Sequence, residues 1–150
     1  IDGDKEENLP YEKEEFDIVL SSLGMDHIED WDKTLKEVYR VLKKKGIFIF
    51  SIKNPVTICL EKEKWFFKNF KVIKNYFNED WKFANWTSKV EGAHHHKTFG
   101  TIIKYIVKNN FEIVDYEDTK PIEKSKEFYL KAYNKAINAP HFCVWKVIKK

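Results

Sequence analysis

Two short stretches of this sequence carry side chains suited to binding or catalysis. The first is Ser21-Ser22-Leu23, which follows an apolar run at residues 16–20 and precedes a loop with Asp26 and His27. Hydroxyl groups and backbone carbonyls at a strand end can hold a zwitterionic ligand, whereas the loop carboxylates equally suit the positive end of a following helix. The residues alone leave both interpretations open.

The second stretch is His94-His95-His96, which raises the question of a metal site. Adjacent histidines in an extended segment point in alternating directions, and no cysteine or further histidine stands at ligand spacing. We therefore expect a solvated loop and no bound metal. The two cysteines, Cys59 and Cys143, lie far apart and predict buried thiols in a reducing compartment.

The overall composition predicts one globular domain. The 150 residues are 43% apolar and 16% aromatic, which is enough to fill a core. The 27 basic and 24 acidic residues are interleaved along most of the sequence, and Arg40 is the only arginine, so we expect no nucleic-acid partner. No apolar stretch approaches the roughly 20 residues of a membrane span and no leader is visible, so we expect a cytoplasmic protein without a membrane partner. The chain begins at Ile1 and its only methionine is Met25, which favours a missing upstream segment.

The first stretch is positioned by a predicted strand, helix, strand unit. The runs at 16–20 and 47–52 are nearly all apolar, which is typical of strands covered on both faces. Apolar residues at helical spacing lie between them, with Asp30 or Asp32 as the predicted cap and Gly46 as the predicted left-handed stop.

A second unit follows later in the chain. Thr98 is the predicted cap of a helix that ends at Asn109-Asn110, and a strand at 111–116 comes next. A helix over about 123–137 and a last strand at 142–148 complete the pattern, so the fold class is α/β. The apolar face of the last helix is expected at Phe128, Ala132, Ala136 and Ile137.

Residues 56–97 form an aromatic insertion between the two units. Its aromatic residues are Trp65, Phe66, Phe67, Phe70, Tyr76, Phe77, Trp81, Phe83 and Trp86. Ligands of open α/β sheets bind beyond the carboxyl ends of the strands, where such a segment can serve as a lid. A small satellite core is the other interpretation.

Residues 7–55 resemble the second half of a class I S-adenosylmethionine-dependent methyltransferase with a type 11-like domain. The matching residues, in order, are Asn8-Leu9-Pro10-Tyr11, Phe16-Asp17, His27-Ile28-Glu29-Asp30, and Glu37 through Arg40-Val41-Leu42-Lys43 to Gly46. The segment from His94 to Ile113 and the last strand resemble later parts of that family. The resemblance implies the C-terminal part of a Rossmann-like methyltransferase sheet, mostly parallel with an antiparallel last strand. Residues 1–150 would then be one domain, expected to be incomplete.

The resemblance also implies a function and a set of site residues. In the complete parent protein, a methyl group would pass from S-adenosylmethionine to a small-molecule acceptor, with His96 as a base or positioning group. The implied cofactor-binding residues are Asp4, Asn8, Leu9, Ser21, Ser22, Leu23, Asp26 and His27. Because the glycine-rich turn and the acidic residue that hold the cofactor in this family have no match here, we expect this segment alone to be inactive and to bind S-adenosylmethionine weakly or not at all.

The alternative is a non-catalytic α/β fragment or degenerate domain that serves in association. We expect the strand at 16–20 to lie beside that at 47–52, and the last strand to lie antiparallel between 47–52 and 111–116. The strand at 16–20 would then have an open edge, through which the chain is expected to self-associate.

Overall fold

The computed structural model describes residues 9–65, 68–87 and 90–150. The strands are β1 Phe16–Ser22, β2 Leu42–Lys53, β3 Leu60–Trp65, β4 Lys68–Ile73, β5 Trp81–Thr87, β6 Val90–His95, β7 Phe111–Asp118 and β8 Phe142–Lys149. The helices are α1 Trp31–Val41, α2 Phe99–Lys108 and α3 Ser125–Ala136.

The main sheet has the strand order β1-β2-β8-β7, which confirms the expected order. β1 and β2 pair in parallel, whereas β8 is antiparallel to both of its neighbours, β2 and β7. Three of the four strands therefore run in one direction and the last runs against them. The expectation of a mostly parallel sheet holds for strand direction only, because an inserted reversed strand makes two of the three pairings antiparallel.

The core lies on one face of this sheet, under α1 and α2. Its members come from both helices and from the facing sides of the strands, and the largest are Trp31, Leu35, Phe48, Phe50, Ile102, Ile106, Phe111 and Trp145. The opposite face is less covered, since Ile18 and Leu20 of β1 are 57% and 70% exposed. The prediction that the first strand is covered on both faces is therefore wrong for the described residues.

α1 begins as predicted but ends differently. The Asp30 side chain accepts a hydrogen bond from the Lys33 backbone N–H at 3.1 Å, which confirms the cap. The helix ends at Val41, and the left-handed backbone falls on Lys45, with φ 64°, instead of Gly46. Gly46 is needed for a different reason: a Cβ there would lie 2.8 Å from the Lys43 carbonyl oxygen, so only glycine fits this close approach.

The other two helices differ in regularity. In α2, the Thr98 hydroxyl accepts from the Thr101 N–H at 3.2 Å and Asn110 has φ 59°, which confirms both predicted ends. In α3, Tyr129 has non-helical backbone angles, so residues before and after it do not share one face. The predicted apolar face is wrong: Phe128 and Ile137 are exposed, and Tyr133 is the buried residue.

The insertion at 56–97 folds into two hairpins, β3–β4 and β5–β6. Phe77 and Phe83 are mostly exposed, whereas Tyr76 packs against the His96 ring at 5.7 Å between centroids. Phe66, Phe67 and the side chains of Trp65 and Trp86, which the prediction also names, lie outside the described residues. If this insertion serves as a lid, the lid consists of these two hairpins.

Candidate functional site

The polar strand end after β1 forms a strained turn beside the end of β2. Ser21 pairs with Phe50 and Ser22 with Ser51, so both serines lie at the carboxyl ends of two parallel strands. Leu23 has φ 55°, an unusual value for a residue with a side chain, and its N–H donates to Ser51 O and Ser51 Oγ, each at 3.1 Å. Backbone strain of this kind clusters at binding sites, which makes this turn a candidate.

Asp26 is a buried carboxylate in the next turn. It belongs to a short 3-10 turn, Met25–His27, and its Oδ2 accepts the Lys53 backbone N–H at 2.9 Å. Burial raises the pKa of Asp26 to about 6, against the opposing effect of that hydrogen bond. A carboxylate that exchanges its proton near neutral pH at a strand end is typical of a functional site.

His94 of β6 reaches the same region and is held by Lys53. Lys53 Nζ donates to His94 Nδ1 at 3.0 Å, and because an ammonium can only donate, the neutral imidazole carries its proton on Nε2. That Nε2 atom is buried without a hydrogen-bond partner among the described residues. Burial, and then the nearby Lys53, lower the pKa of His94 to about 4, so this ring is neutral and its lone pair is already occupied.

Lys97 and His95 repeat this arrangement one residue further on. Lys97 Nζ donates to His95 Nδ1 at 3.0 Å and to the Ile28 carbonyl oxygen at 3.2 Å, and lies 5.5 Å from the centre of the Trp31 ring. Burial lowers the pKa of Lys97 to about 8. The buried ammonium thus ties the end of β6 to the loop that precedes α1.

His96 differs from its two neighbours. Its Nε2 lies 2.8 Å from the Tyr76 carbonyl oxygen, which can only accept, so Nε2 donates and the lone pair stays on Nδ1. Cys59 Sγ is 3.6 Å from the same nitrogen. In the described contacts, lysine ammonium groups therefore occupy the lone pairs of His94 and His95 but not that of His96. The run is largely buried, so the expectation of a solvated loop is wrong.

The structure brings together most of the predicted cofactor residues. Ser21, Ser22, Leu23, Asp26 and His27 share one end of the sheet.

Leu9 lies apart from this group, at the opposite, amino end of β1, and its cofactor contact stays a prediction. Its N–H donates to Glu37 Oε2 at 3.1 Å and its carbonyl accepts from Arg40 at 3.0 Å. Asp4 and Asn8 fall outside the described residues.

Sequence reasoning missed Lys53, Lys97 and His94 as members of this cluster. Lys53 stands at the end of a buried strand and Lys97 follows the histidines, but a lysine in a chain with 27 basic residues carries no distinguishing signal. Only the pairing of each ammonium with an imidazole accounts for a buried Lys97 and a half-buried Lys53.

A cleft of about 580 Å³ opens at the same end of the sheet, between β2, β7 and β8. Its lining residues are Asn54, Val56, Thr57, Leu60, Phe99, Ile103, Tyr116, Asp118, Asn138, Ala139, Pro140 and Trp145. The volume suits a small organic molecule. Neither His94 nor Asp26 lines this cleft, so the polar cluster and the cleft are two neighbouring parts of one sheet edge.

Two negative findings apply to the described residues. None of their helices is long and apolar enough to cross a membrane. Within the same ranges, no group of three or more histidine, cysteine or acidic side chains is placed to hold a metal ion.

Comparison of sequences gives a family match and partial relatives. A family model described as a methyltransferase domain matches residues 1–50. An uncharacterised protein of Haemophilus influenzae is 31% identical over 124 residues, which cover 74% of this chain and 48% of that protein. A demethylmenaquinone methyltransferase of Lactobacillus johnsonii is 36% identical over 86 residues, which cover 54% of this chain and 35% of that enzyme. The chain spans less than half of the length of these relatives.

Comparison of structures gives the same fold. An S-adenosylmethionine-dependent methyltransferase from Mesorhizobium loti superposes with a TM-score of 0.78 at 22% identity, over 99% of this chain and 67% of that one. A solved structure from Listeria monocytogenes superposes with a TM-score of 0.80 at 25% identity, over 95% of this chain and 65% of that one.

Proposed function

We propose that this chain belongs to the S-adenosylmethionine-dependent methyltransferase family and takes part in methyl transfer to a small-molecule acceptor, which the match of its first 50 residues and its fold support. The supporting observation is the strained turn at Leu23, bound to Ser51 beside the buried carboxylate of Asp26. Since the match covers less than half of each of these relatives, the acceptor and the activity of the whole protein are part of this proposal.

The described residues fit one end of the cofactor. S-adenosylmethionine supplies an electrophilic methyl group on a sulfonium, next to an amino acid end with an ammonium and a carboxylate. The Ser22 hydroxyl and the turn at Leu23 are exposed at the strand end and offer polar contacts to that zwitterion. Asp26 contributes negative charge close by. Holding the methyl donor in line with the acceptor and away from water is the main contribution such residues make to rate.

We further propose His96 as the group that takes a proton from the acceptor. Its Nε2 proton is directed to the Tyr76 carbonyl, which leaves the lone pair on Nδ1. Burial lowers the pKa of His96, so the ring is neutral and able to accept. A base is needed when the acceptor arrives protonated.

Ligand-detected NMR with S-adenosylhomocysteine tests the cofactor contact. We expect weak saturation transfer from the 150-residue chain to this ligand. Ser22→Trp should abolish it, because the bulky ring fills the exposed strand end. Lys44→Trp, at an exposed position near the start of β2, is the matched control and should retain the signal. A wild-type chain without any transfer would contradict the proposed contact, and tight binding would contradict the expectation that half of the pocket is missing.

A non-catalytic role in association is the second candidate. It is favoured by the exposed apolar side chains of Ile18 and Leu20 on the outermost strand of the sheet. Transfer of a labelled methyl group by the parent protein, and its loss in His96→Asn with unchanged binding of S-adenosylhomocysteine, would decide for the enzyme.

A further inference from the structure

We infer that the cleft between β2, β7 and β8 binds a positively charged amine or methylated ammonium group, held by an aromatic wall and Asp118. This inference deepens the proposed function, on which it rests only in identifying that ligand as the methyl acceptor, whose cationic nitrogen anchors the molecule and is not the atom that is methylated. The binding of a cation by the cleft can be measured without any cofactor.

The charge of the cleft is the first argument. Asp118 is the only one of its described lining residues with a charged side chain, and no lysine or arginine lines it. This is unusual in a chain with 27 basic residues and a net charge of +3. A cleft lined by one carboxylate and by no basic side chain is electrostatically complementary to a cation.

The aromatic wall is the second argument. Phe99, Tyr116 and Trp145 line the cleft, and their rings meet at steep angles. The Tyr116 and Trp145 rings are 4.7 Å apart at 68°, and the Phe99 and Tyr116 rings are 5.8 Å apart at 77°. Rings that meet in this way form a corner rather than a flat stack, and an ammonium within about 6 Å of such faces is attracted by their electron density.

The Trp145 ring is fixed from behind. Phe50 stacks on it with an interplanar angle of 5° and a centroid distance of 6.1 Å. Trp145 is only 4% exposed, so Phe99 and Tyr116, which are half-buried, supply most of the accessible ring surface of the cleft. The remaining walls include Val56, Leu60 and Ile103, which suit methyl groups on a nitrogen.

The Asp118 carboxylate is held in a defined orientation. Its Oδ1 accepts from the Tyr116 hydroxyl at 2.6 Å and from Asn54 Nδ2 at 2.8 Å. Both of these bonds go to Oδ1, so Oδ2 is available as an acceptor for an ammonium. The aromatic wall and the carboxylate are therefore joined through Tyr116, which belongs to both.

Asn54 connects this cleft to the strand end of the proposed cofactor site. It directly follows β2, is buried, and its Oδ1 accepts from the Val56 N–H at 3.0 Å. The same residue thus fixes the loop on one side of the cleft and the carboxylate on the other. A group bound against Asp118 would lie at the carboxyl end of β2, at the same sheet edge as Ser22 and Asp26.

Calorimetry with two probes of the same shape tests this inference. Choline carries a quaternary ammonium, and 3,3-dimethylbutan-1-ol replaces the charged nitrogen by carbon. We expect the 150-residue chain to bind choline and to bind the alcohol at least roughly fivefold more weakly, because only choline gains from the carboxylate and the ring faces. Equal binding of both probes, or no binding of choline, would overturn the inference.

Variants locate the bound cation. Asp118→Asn keeps the shape and both hydrogen bonds while removing the charge, and should weaken choline binding roughly fivefold. Asp115→Asn, on the same strand outside the lining, is the control and should bind choline like the wild type. An equal effect of the two variants would show a general charge effect and refute the site. Tyr116→Phe keeps the ring but removes one of the two hydrogen bonds that orient the carboxylate, and should weaken choline binding with an unchanged unfolding midpoint.

The two proposals fail separately. A chain that binds choline but shows no saturation transfer to S-adenosylhomocysteine keeps the cation site and loses the proposed cofactor contact at Ser22. A chain that contacts S-adenosylhomocysteine at Ser22 but does not bind choline loses the cation site alone.

Discussion

The carboxylate of Asp26 accepts the backbone N–H of Lys53 at 2.9 Å and joins the turn after β1 to the last residue of β2. Both strands reach the candidate site at their carboxyl ends, so this bond fixes the spacing of the two halves of the site. The same burial that makes the bond strong makes the charge on Asp26 costly.

Asp26→Asn should stabilise the protein at neutral pH. Burial raises the pKa of Asp26 from 3.8 to about 6, so the folded state binds this proton more tightly than the unfolded state. Stability from this group is therefore greatest below pH 4 and is lost as the pH rises to about 6. Asparagine keeps an acceptor for the Lys53 N–H without the charge. We expect a gain on the order of 2 kcal/mol in the free energy of unfolding above pH 7, and none below pH 4.

Urea unfolding at several pH values measures this difference. Asp115→Asn, at an exposed position of β7, should show no such pH-dependent gain. A loss of stability in Asp26→Asn at pH 7.5 would show that attraction to Lys53 and Lys97 outweighs the cost of burial.

Gly46→Ala should destabilise the fold, and Gly100→Ala should not. A Cβ at residue 46 would lie 2.8 Å from Lys43 O and 3.3 Å from Asp17 O, both backbone atoms that cannot move aside. A Cβ at residue 100 meets its nearest atom, the Thr98 hydroxyl oxygen, at 3.9 Å. We expect a loss of about 1–3 kcal/mol in the first variant and a change below about 1 kcal/mol in the second, measured by urea unfolding. Similar effects of the two substitutions would argue against the close approach at Gly46.

Arg40→Lys should loosen the segment before β1. The guanidinium donates to the Tyr11 carbonyl at 2.8 Å, to the Leu9 carbonyl at 3.0 Å and to Glu37 at 2.8 Å, and a lysine ammonium cannot reproduce this fork. We expect faster hydrogen exchange of the amides in residues 9–15 and unchanged exchange in β2. Lys43→Ala removes only an exposed pair with Asp17 and serves as the control. Unchanged exchange in Arg40→Lys would mean that other contacts hold this segment.

The double substitution Ile18→Lys with Leu20→Lys should reduce self-association. β1 is the end of the sheet as described, and these two side chains are 57% and 70% exposed, so the strand offers both an open edge and an apolar face to a second copy. Light scattering across a concentration series should show a larger species for the wild type than for the variant. Val114→Lys, at an exposed position of the other edge strand, should behave as the wild type does. A wild-type chain that is monomeric throughout would refute this prediction.

Local signals in the sequence were sufficient for the elements and the order of the main sheet. Apolar runs predicted β1, β2 and β8, and the caps at Asp30 and Thr98 formed as expected because they depend on residues three positions away. The neighbours of β8 followed from its nearly continuous apolar character. The resemblance at residues 7–55 to the methyltransferase family is likewise carried by the sequence alone.

The chemical state of the site was decided by tertiary structure alone. Which of three adjacent histidines keeps a free lone pair depends on Lys53, Lys97 and the Tyr76 carbonyl, of which two lie 41 and 20 residues away in sequence from their partners. The cleft wall brings Phe99, Tyr116 and Trp145 together from α2, β7 and β8. Such contacts arise from chain crossings between distant segments, whereas helix caps and apolar periodicity are set by near neighbours. The sequence therefore predicts the helices and strands, but the protonation of each histidine, its lysine partner and the contacts of the aromatic rings follow only from the tertiary structure.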